Sequence, residues 1–409
     1  MGVSLEPLAA GRDNNLNLIR LIAALCVLVS HAWPIALGPG TTEPLERATG
    51  YSLGTFAVLV FFAISGFLIS ASYERSAGVW PYLHARVARI YPALIVSIAL
   101  VTLGLGPVFT ELSIQDYLQD ARTWDALLGN ASLLHLEYTL PAVFTQNPYP
   151  TVQGSIWSLP IEMALYLATA AVGFAGLLRG RLVLSLLGAG LLVALFAGSD
   201  LGGMVQADFW MPSLAFGTGM LLYLWRSVIP ASPWIALALI GAAALSGQGG
   251  LHGPLICLAT GYGAIWLALL PSGVARRWNA LGDYSYGVYI YAFPVQGAMM
   301  AWLGPMAPMS NVALSLPVTL ALAILSWHWI ERPALRTLRR PRVAAQVSGP
   351  ECDQSTQSTG PRRPTRYNRQ DRSRRVSHEF PASDSDLVER PNARHTAFYG
   401  PQRHESGRG

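Results

Sequence analysis

The chain has 409 residues, of which 52% are hydrophobic and only 12% are charged, with a formal net charge of +5. A soluble domain usually carries about 25% charged residues, so this composition excludes an ordinary soluble protein. We therefore predict an all-α polytopic membrane protein with about ten transmembrane helices, because an apolar segment of about 20 residues spans a bilayer as a helix.

The apolar segments are separated by short polar loops. In chain order they cover residues 16–37, 53–72, 90–109, 155–178, 181–199, 208–226, 231–248, 253–271, 282–304 and 310–331. Arginines concentrate in the loops after the second, fourth, sixth, eighth and tenth segments, whereas the intervening loops are poor in basic residues and often acidic. Basic loops stay on the cytoplasmic side, so this alternation predicts that both termini face the cytoplasm.

Two regions outside the apolar segments complete the predicted organisation. The longest outer loop, 110–154, contains LLGNASLLHLEYTLPAVF and is apolar enough to fold onto the membrane surface. Residues 1–342 are predicted to form one transmembrane domain, and residues 343–409 a disordered cytoplasmic tail rich in Arg, Ser, Pro and Gln. The cluster RSRR in the tail fits contact with anionic lipid, and the alternative is a solvated tail without a catalytic role.

The first predicted helix carries an arginine and a histidine in an otherwise apolar run. Arg20 and His31 are 11 positions apart. This spacing is just over three helical turns, so both side chains lie on one face, about 16 Å apart along the axis. Ionisable residues at membrane depth are costly and usually face the bundle interior or a wet cavity. We predict that this face looks inward; the alternatives are a snorkelling arginine and a histidine with a structural role in the core.

A carboxylate and two further arginines are the other charged candidates. Glu162, in GSIWSLPIEMALY, lies at a depth close to that of His31. A carboxylate beside the imidazole would hold its tautomer and raise its basicity. Arg86 and Arg89, in HARVARIYP, are three positions apart and lie on one face of a helix. Such a pair can bind a phosphate in bidentate fashion, although the positive-inside rule alone also explains arginines here.

Five motifs in order make the chain resemble the membrane-bound acyltransferase-3 family of polysaccharide and small-molecule O-acyltransferases. They are the helix from Arg20 to His31, then FFAISGFLIS, RVARIYP, GSIWSLPIE and GDYSYGVYIYAFP, and SWHWIERP is typical of the last helix. The resemblance covers about residues 12–335. One departure is Ala292, two positions before Pro294, where many relatives have a histidine.

The resemblance implies a role for each charged residue. His31 would be the catalytic residue, with Arg20 as its partner on the same helix, and Glu162 would complete the catalytic site. Arg86 and Arg89 would act at a cytoplasmic acyl-CoA site. The residues leave open whether the histidine is a general base or accepts the acyl group transiently.

The expected function is therefore that of an integral membrane O-acyltransferase of the bacterial cytoplasmic (inner) membrane. It would transfer an acyl group, expected to be acetyl, from cytoplasmic acyl-CoA to a hydroxyl of a carbohydrate, small-molecule or lipid-linked acceptor. We expect the protein to use no metal and to bind no nucleic acid. The alternative is a transporter or flippase of lipid-linked sugars or hydrophobic export substrates, because intramembrane charges fit that class equally well.

Overall fold

The computed structural model describes residues 3–9, 14–182, 185, 188, 207–247, 249–270 and 282–337, which are built from helices joined by loops. In chain order the helices are α1 Leu5–Ala9, α2 Leu16–Leu37, α3 Pro44–Thr49, α4 Leu53–Glu74, α5 Val79–Ala99, α6 Gly106–Phe109, α7 Ile114–Gln119, α8 Ala121–Ser132, α9 Ser158–Phe174, α10 Ala207–Leu224, α11 Pro233–Leu245, α12 His252–Leu269, α13 Ser285–Leu303, α14 Pro308–Ser326 and α15 Arg332–Thr337. π-helical turns at Leu100–Leu105 and Trp327–Glu331 continue α5 into α6 and α14 into α15. The predicted tail, 343–409, lies outside the described residues.

The described helices confirm an all-α membrane protein. Five stretches are long and apolar enough to cross a membrane: Leu16–Leu37, Leu53–Glu74, Val79–Phe109, His252–Leu269 and Pro308–Thr337. Three shorter helices are also apolar, namely Ser158–Phe174, Phe209–Leu224 and Pro233–Leu245. The 19-residue helix α13 corresponds to predicted segment 282–304. Every predicted segment overlaps one of these helices except the fifth, 181–199, which lies almost entirely outside the described residues.

Local sequence explains where several helices begin and end. The Ser52 hydroxyl accepts the Thr55 backbone N–H at 3.0 Å and caps the start of α4. Ser232 caps α11 in the same way, and a proline follows it at the first helical position, where its missing N–H has no cost. At the other end of a helix, Gly304 follows α13 with a positive φ of 85°, a conformation that glycine adopts without strain.

The directions of the helices define two ends of the bundle. We call the end that holds Arg20 the arginine end, and the end that holds His31 the histidine end. Because Gly54 lies against Ser30, α4 starts at the histidine end and runs back toward the arginine end. The last residues of α4, α9 and α10 line one common cavity, so these three helices end together. The second, fourth and sixth predicted segments thus end on one side of the bundle, as the alternation of the basic loops requires.

Small residues allow α4 and α10 to touch at the centre of the bundle. A Cβ at Gly66 would collide with the carbonyl oxygen of Phe216, and a Cβ at Gly219 would collide with that of Ala63. Close backbone contact at small residues is a common way for helices to associate in a membrane. This contact fixes α4 against α10 and leaves its opposite face to α2 and the candidate site.

The segment 110–154 packs on the histidine end. Within it, the Tyr117 hydroxyl donates to the Thr102 carbonyl oxygen at 2.8 Å and joins α7 to the end of α5. Toward the bundle, the Asn147 side-chain amide donates to the Gly297 carbonyl oxygen of α13 at 2.9 Å. Gly154 lies directly against the ring of Phe293, where no larger residue would fit. The apolar segment predicted here is therefore used to cover the end of α13.

Candidate active site

Two arginines and two carboxylates form a buried network at the arginine end. Arg20 of α2 donates to Asp283 Oδ2 at 2.7 Å, and Arg89 of α5 donates to the same oxygen at 2.5 Å. Arg89 also lies 3.3 Å from Glu331 Oε2, whose side chain is only 1% exposed. Within this network the charges balance. The pairs join the first turns of α2, the middle of α5 and the residues just before α13 to the π-helical turn between α14 and α15.

Arg86 lies one turn from Arg89 in a different environment. Its guanidinium carbon is 5.9 Å from the ring centroids of both Tyr82 and Tyr166, and a terminal nitrogen lies 3.4 Å from the Ser72 hydroxyl. The Nε of Arg86 is buried without a hydrogen-bond partner in the described residues. Within the described part of the chain, the Arg86 side chain forms no ion pair with a carboxylate. Arg89 is thus paired with two carboxylates, whereas Arg86 is available to bind an anion.

These arginines line a cavity of about 330 Å³, which we call the arginine chamber. Its wall includes Arg20, Arg86, Arg89, Glu162, Tyr166 and Tyr286. Both charged and aromatic groups therefore surround a space large enough for part of a ligand. Four of the five residues predicted for the site meet here.

Glu162 faces the arginine chamber and not the histidine. Its Oε1 accepts the Ser65 hydroxyl at 3.1 Å and also the hydroxyl of Tyr166. Ser158, Glu162 and Tyr166 recur every four residues on one face of α9, so the carboxylate lies one turn further toward the arginine end than Ser158. The predicted pairing of Glu162 with His31 is wrong. A similar depth along the membrane does not determine which cavity this face of α9 lines.

His31 lines a second cavity of about 200 Å³ at the histidine end, which we call the histidine chamber. Ser30, Trp157 and Tyr289 are also in its wall. The ring of Phe293 meets the imidazole edge-on, with centroids 5.0 Å apart and planes at 74°. The buried Nδ1 of His31 has no hydrogen-bond partner among the described residues. Aromatic packing therefore positions the ring, and Arg20 and His31 both face the bundle interior as predicted.

Glu43 is a buried acid beside the histidine chamber. It precedes α3, is 3% exposed, and accepts the backbone N–H of Leu53 at the start of α4. Burial raises the pKa of the Glu43 carboxyl, and a hydrogen bond with Ser30 opposes that rise. Since Ser30 precedes His31, this carboxyl ties the loop between α2 and α4 to the turn of α2 that carries the histidine.

A third cavity of about 40 Å³, the central cavity, lies between the two chambers. With the arginine chamber it shares Arg20, Ser65, Glu162 and Tyr286. With the histidine chamber it shares Val58 and Tyr289. The three cavities therefore form a row along α2 from Arg86 to His31, with its narrowest part in the middle.

Sequence reasoning missed three of the acids around this row. Asp283 and Glu331 stand in the motifs GDYSYGVYIYAFP and SWHWIERP, so their positions carried a signal that was not used. Arg20 and Arg89 each lie near the start of a predicted apolar segment, and a buried arginine requires a counter-ion, which was the physical reason to look for an acid. Glu43 gave no comparable signal, because its sequence context is that of an ordinary acidic loop.

Comparison with known proteins gives one family. Residues 13–328 match a family model described as an acyltransferase domain. The chain is 29% identical over 344 residues to the O-acetyl transferase of Shigella phage Sf6, covering 81% of this chain and 99% of that protein. It is 29% identical over 390 residues to nodulation protein 10 of Rhizobium leguminosarum bv. viciae, covering 85% and 100%. The exopolysaccharide production protein ExoZ of Rhizobium meliloti is 27% identical over 325 residues, covering 73% and 95%. No solved structure matches.

Proposed function

The chain belongs to the acyltransferase-3 family of membrane O-acyltransferases, and on that premise we propose that it transfers an acetyl group from acetyl-CoA to a carbohydrate hydroxyl. The observation that carries this proposal is the row of three cavities between Arg86 and His31. An acyl donor held at one chamber can reach a histidine in the other only through such a path.

The arginine chamber is the proposed site of the acyl-CoA. Arg86 has an unpartnered Nε and two aromatic rings beside its guanidinium, which suits a phosphate group and a planar base or amide. Arg89 and Arg20 hold the chamber in shape through Asp283, which also limits how many positive charges the donor meets. Acyl-CoA is made in the cytoplasm, so the arginine end would face the cytoplasm, in agreement with the basic loops.

His31 is the proposed catalytic residue. In one form of the reaction its imidazole takes the proton of the acceptor hydroxyl while that oxygen attacks the thioester carbonyl, and CoA leaves as the thiol after protonation. In the other form the imidazole attacks the thioester carbonyl first and CoA leaves as the thiol after protonation. The acceptor hydroxyl then takes the acyl group from the ring nitrogen, loses its proton and releases the free imidazole. Phe293 positions the ring in both. Glu162 would act at the donor side, where it accepts hydrogen bonds from Ser65 and Tyr166.

The acceptor would approach the histidine chamber from the extracytoplasmic side. The name of one relative, an O-acetyl transferase, supports transfer of an acetyl group to an oxygen, and the name of another, an exopolysaccharide production protein, supports a carbohydrate acceptor. We place the protein in the bacterial inner membrane, with both termini in the cytoplasm, because that orientation puts the arginine chamber where the donor is.

Surface carbohydrate from a strain that lacks the protein tests this proposal. Mass spectrometry should find an O-acetyl group in the parent and none in the deletion strain, and a plasmid copy should restore it. If the protein were a transporter or flippase, the deletion strain would instead keep normal acetylation per sugar and display less carbohydrate at the surface. That second result would contradict the proposal.

A further inference from the structure

A hydrogen bond crosses the row of cavities at its narrowest point. The Tyr289 hydroxyl of α13 and the Ser158 hydroxyl of α9 are 2.6 Å apart, and both residues are buried. Tyr289 lines the histidine chamber as well as the central cavity, whereas Ser158 lines the central cavity. The bond therefore stands between the donor side and the histidine.

The central cavity is the constriction of the row. Its volume of about 40 Å³ compares with about 200 Å³ in the histidine chamber and about 330 Å³ in the arginine chamber. Apolar side chains surround the hydroxyl pair: Val58, Phe61 and Leu159 line the same space, and the ring of Phe61 meets that of Tyr289 edge-on at 5.8 Å. An acyl group can reach His31 only if the two hydroxyls separate.

We propose that the Ser158–Tyr289 pair is the gate between the two chambers, and that Tyr289 determines the size of the acyl group that passes. A single neutral hydrogen bond adds little net stability, so a bound donor can open it. The surrounding apolar side chains remain in place and admit a short acyl chain in preference to a longer one. The acyl group as the molecule that passes the gate rests on the proposed function, whereas the gate itself does not.

The test combines the activity with a readout that needs no acyl donor. Thr55 lines the histidine chamber, so Thr55→Cys, in a full-length chain whose native cysteines are replaced by alanine, reports access to that chamber. A charged, membrane-impermeant thiol reagent is added to inside-out vesicles and reaches the protein from the arginine end. Tyr289→Phe removes the hydroxyl and keeps the ring, and Tyr289→Ala removes both.

We expect both variants to label roughly two- to tenfold faster than the parent, as loss of one hydrogen bond implies. In Tyr289→Ala the rate with butyryl-CoA relative to acetyl-CoA should also rise by roughly tenfold or more, since added methylenes are discriminated on that scale. Tyr291, on the same helix and buried but outside all three cavities, supplies the matched controls Tyr291→Phe and Tyr291→Ala. These should label like the parent and keep its acyl preference.

Parent-like labelling in a folded Tyr289→Phe protein would overturn the gate. An unchanged butyryl-to-acetyl ratio in Tyr289→Ala would overturn the role in acyl size. If no variant and no parent transfers any acyl group, the proposed function fails, and the labelling rates still decide whether the hydroxyl pair closes the path.

Discussion

Replacing Arg86 and Arg89 separately should have different consequences, although the two residues look equivalent in the sequence. Arg86→Gln removes the guanidinium that has no ionic partner among the described residues. Loss of one charge-assisted hydrogen bond to a phosphate costs about 1.5–3 kcal/mol, which corresponds to roughly 10- to 150-fold weaker donor binding. Stability should change little, because no buried carboxylate loses its counter-ion.

Arg89→Gln should instead destabilise the protein. Asp283 keeps Arg20 at 2.7 Å, but Glu331, at 1% side-chain exposure, loses the cation that lies 3.3 Å from it. Breaking a buried pair by removing one partner costs about 3–5 kcal/mol. Adding Glu331→Gln to this variant should recover part of that loss, because the unpaired charge is then absent.

Two assays separate these effects. Titration of purified protein with acetyl-CoA gives the affinity, and unfolding in mixed micelles of rising denaturing-detergent content gives the stability. Arg75→Gln is the matched control, since Arg75 is exposed, follows α4 and lines neither chamber. The reasoning is refuted if Arg86→Gln binds acetyl-CoA like the parent, or if Arg89→Gln unfolds like the parent while its binding is lost.

His31→Ala should abolish acyl transfer while the protein still elutes as a folded species in detergent, and substantial transfer would exclude a catalytic histidine. Gly219→Ala should destabilise by about 1–3 kcal/mol through collision with the Ala63 carbonyl, whereas Gly217→Ala, with open space at its Cβ, should not; equal unfolding curves would disprove the close contact. Truncation after Arg342 should leave acyl transfer by the purified enzyme intact, because the removed segment has too few apolar residues to form a core. Loss of acyl transfer in detergent would contradict this.

The sequence predicted the fold class well because the bilayer imposes simple rules on length and charge. Segment length and the alternation of basic loops located the helices, and the spacing of Arg20 and His31 placed both on the inner face of α2. Helical periodicity within one segment is a local property, so such inferences need no knowledge of neighbouring helices.

The partners of these residues could not be predicted in the same way. Whether Glu162 meets His31 depends on the rotation of α9 against α2, which depth along the membrane does not determine. The difference between Arg86 and Arg89 depends on Asp283, which is almost 200 positions further along the chain. Pairings across such distances follow from helix packing, and the pattern within one segment does not predict them.

Labelled acetyl-CoA tests the central claim most directly. Inside-out vesicles that contain the protein and its native carbohydrate acceptor are supplied with radiolabelled acetyl-CoA at the exposed arginine end, and the carbohydrate is then isolated. The account predicts label in alkali-labile ester linkage on the carbohydrate with the parent protein, and none with His31→Ala at equal protein content. Equal labelling by both proteins, or no labelling above vesicles that lack the protein, would contradict the claim that His31 transfers an acyl group from a donor bound at the arginine chamber.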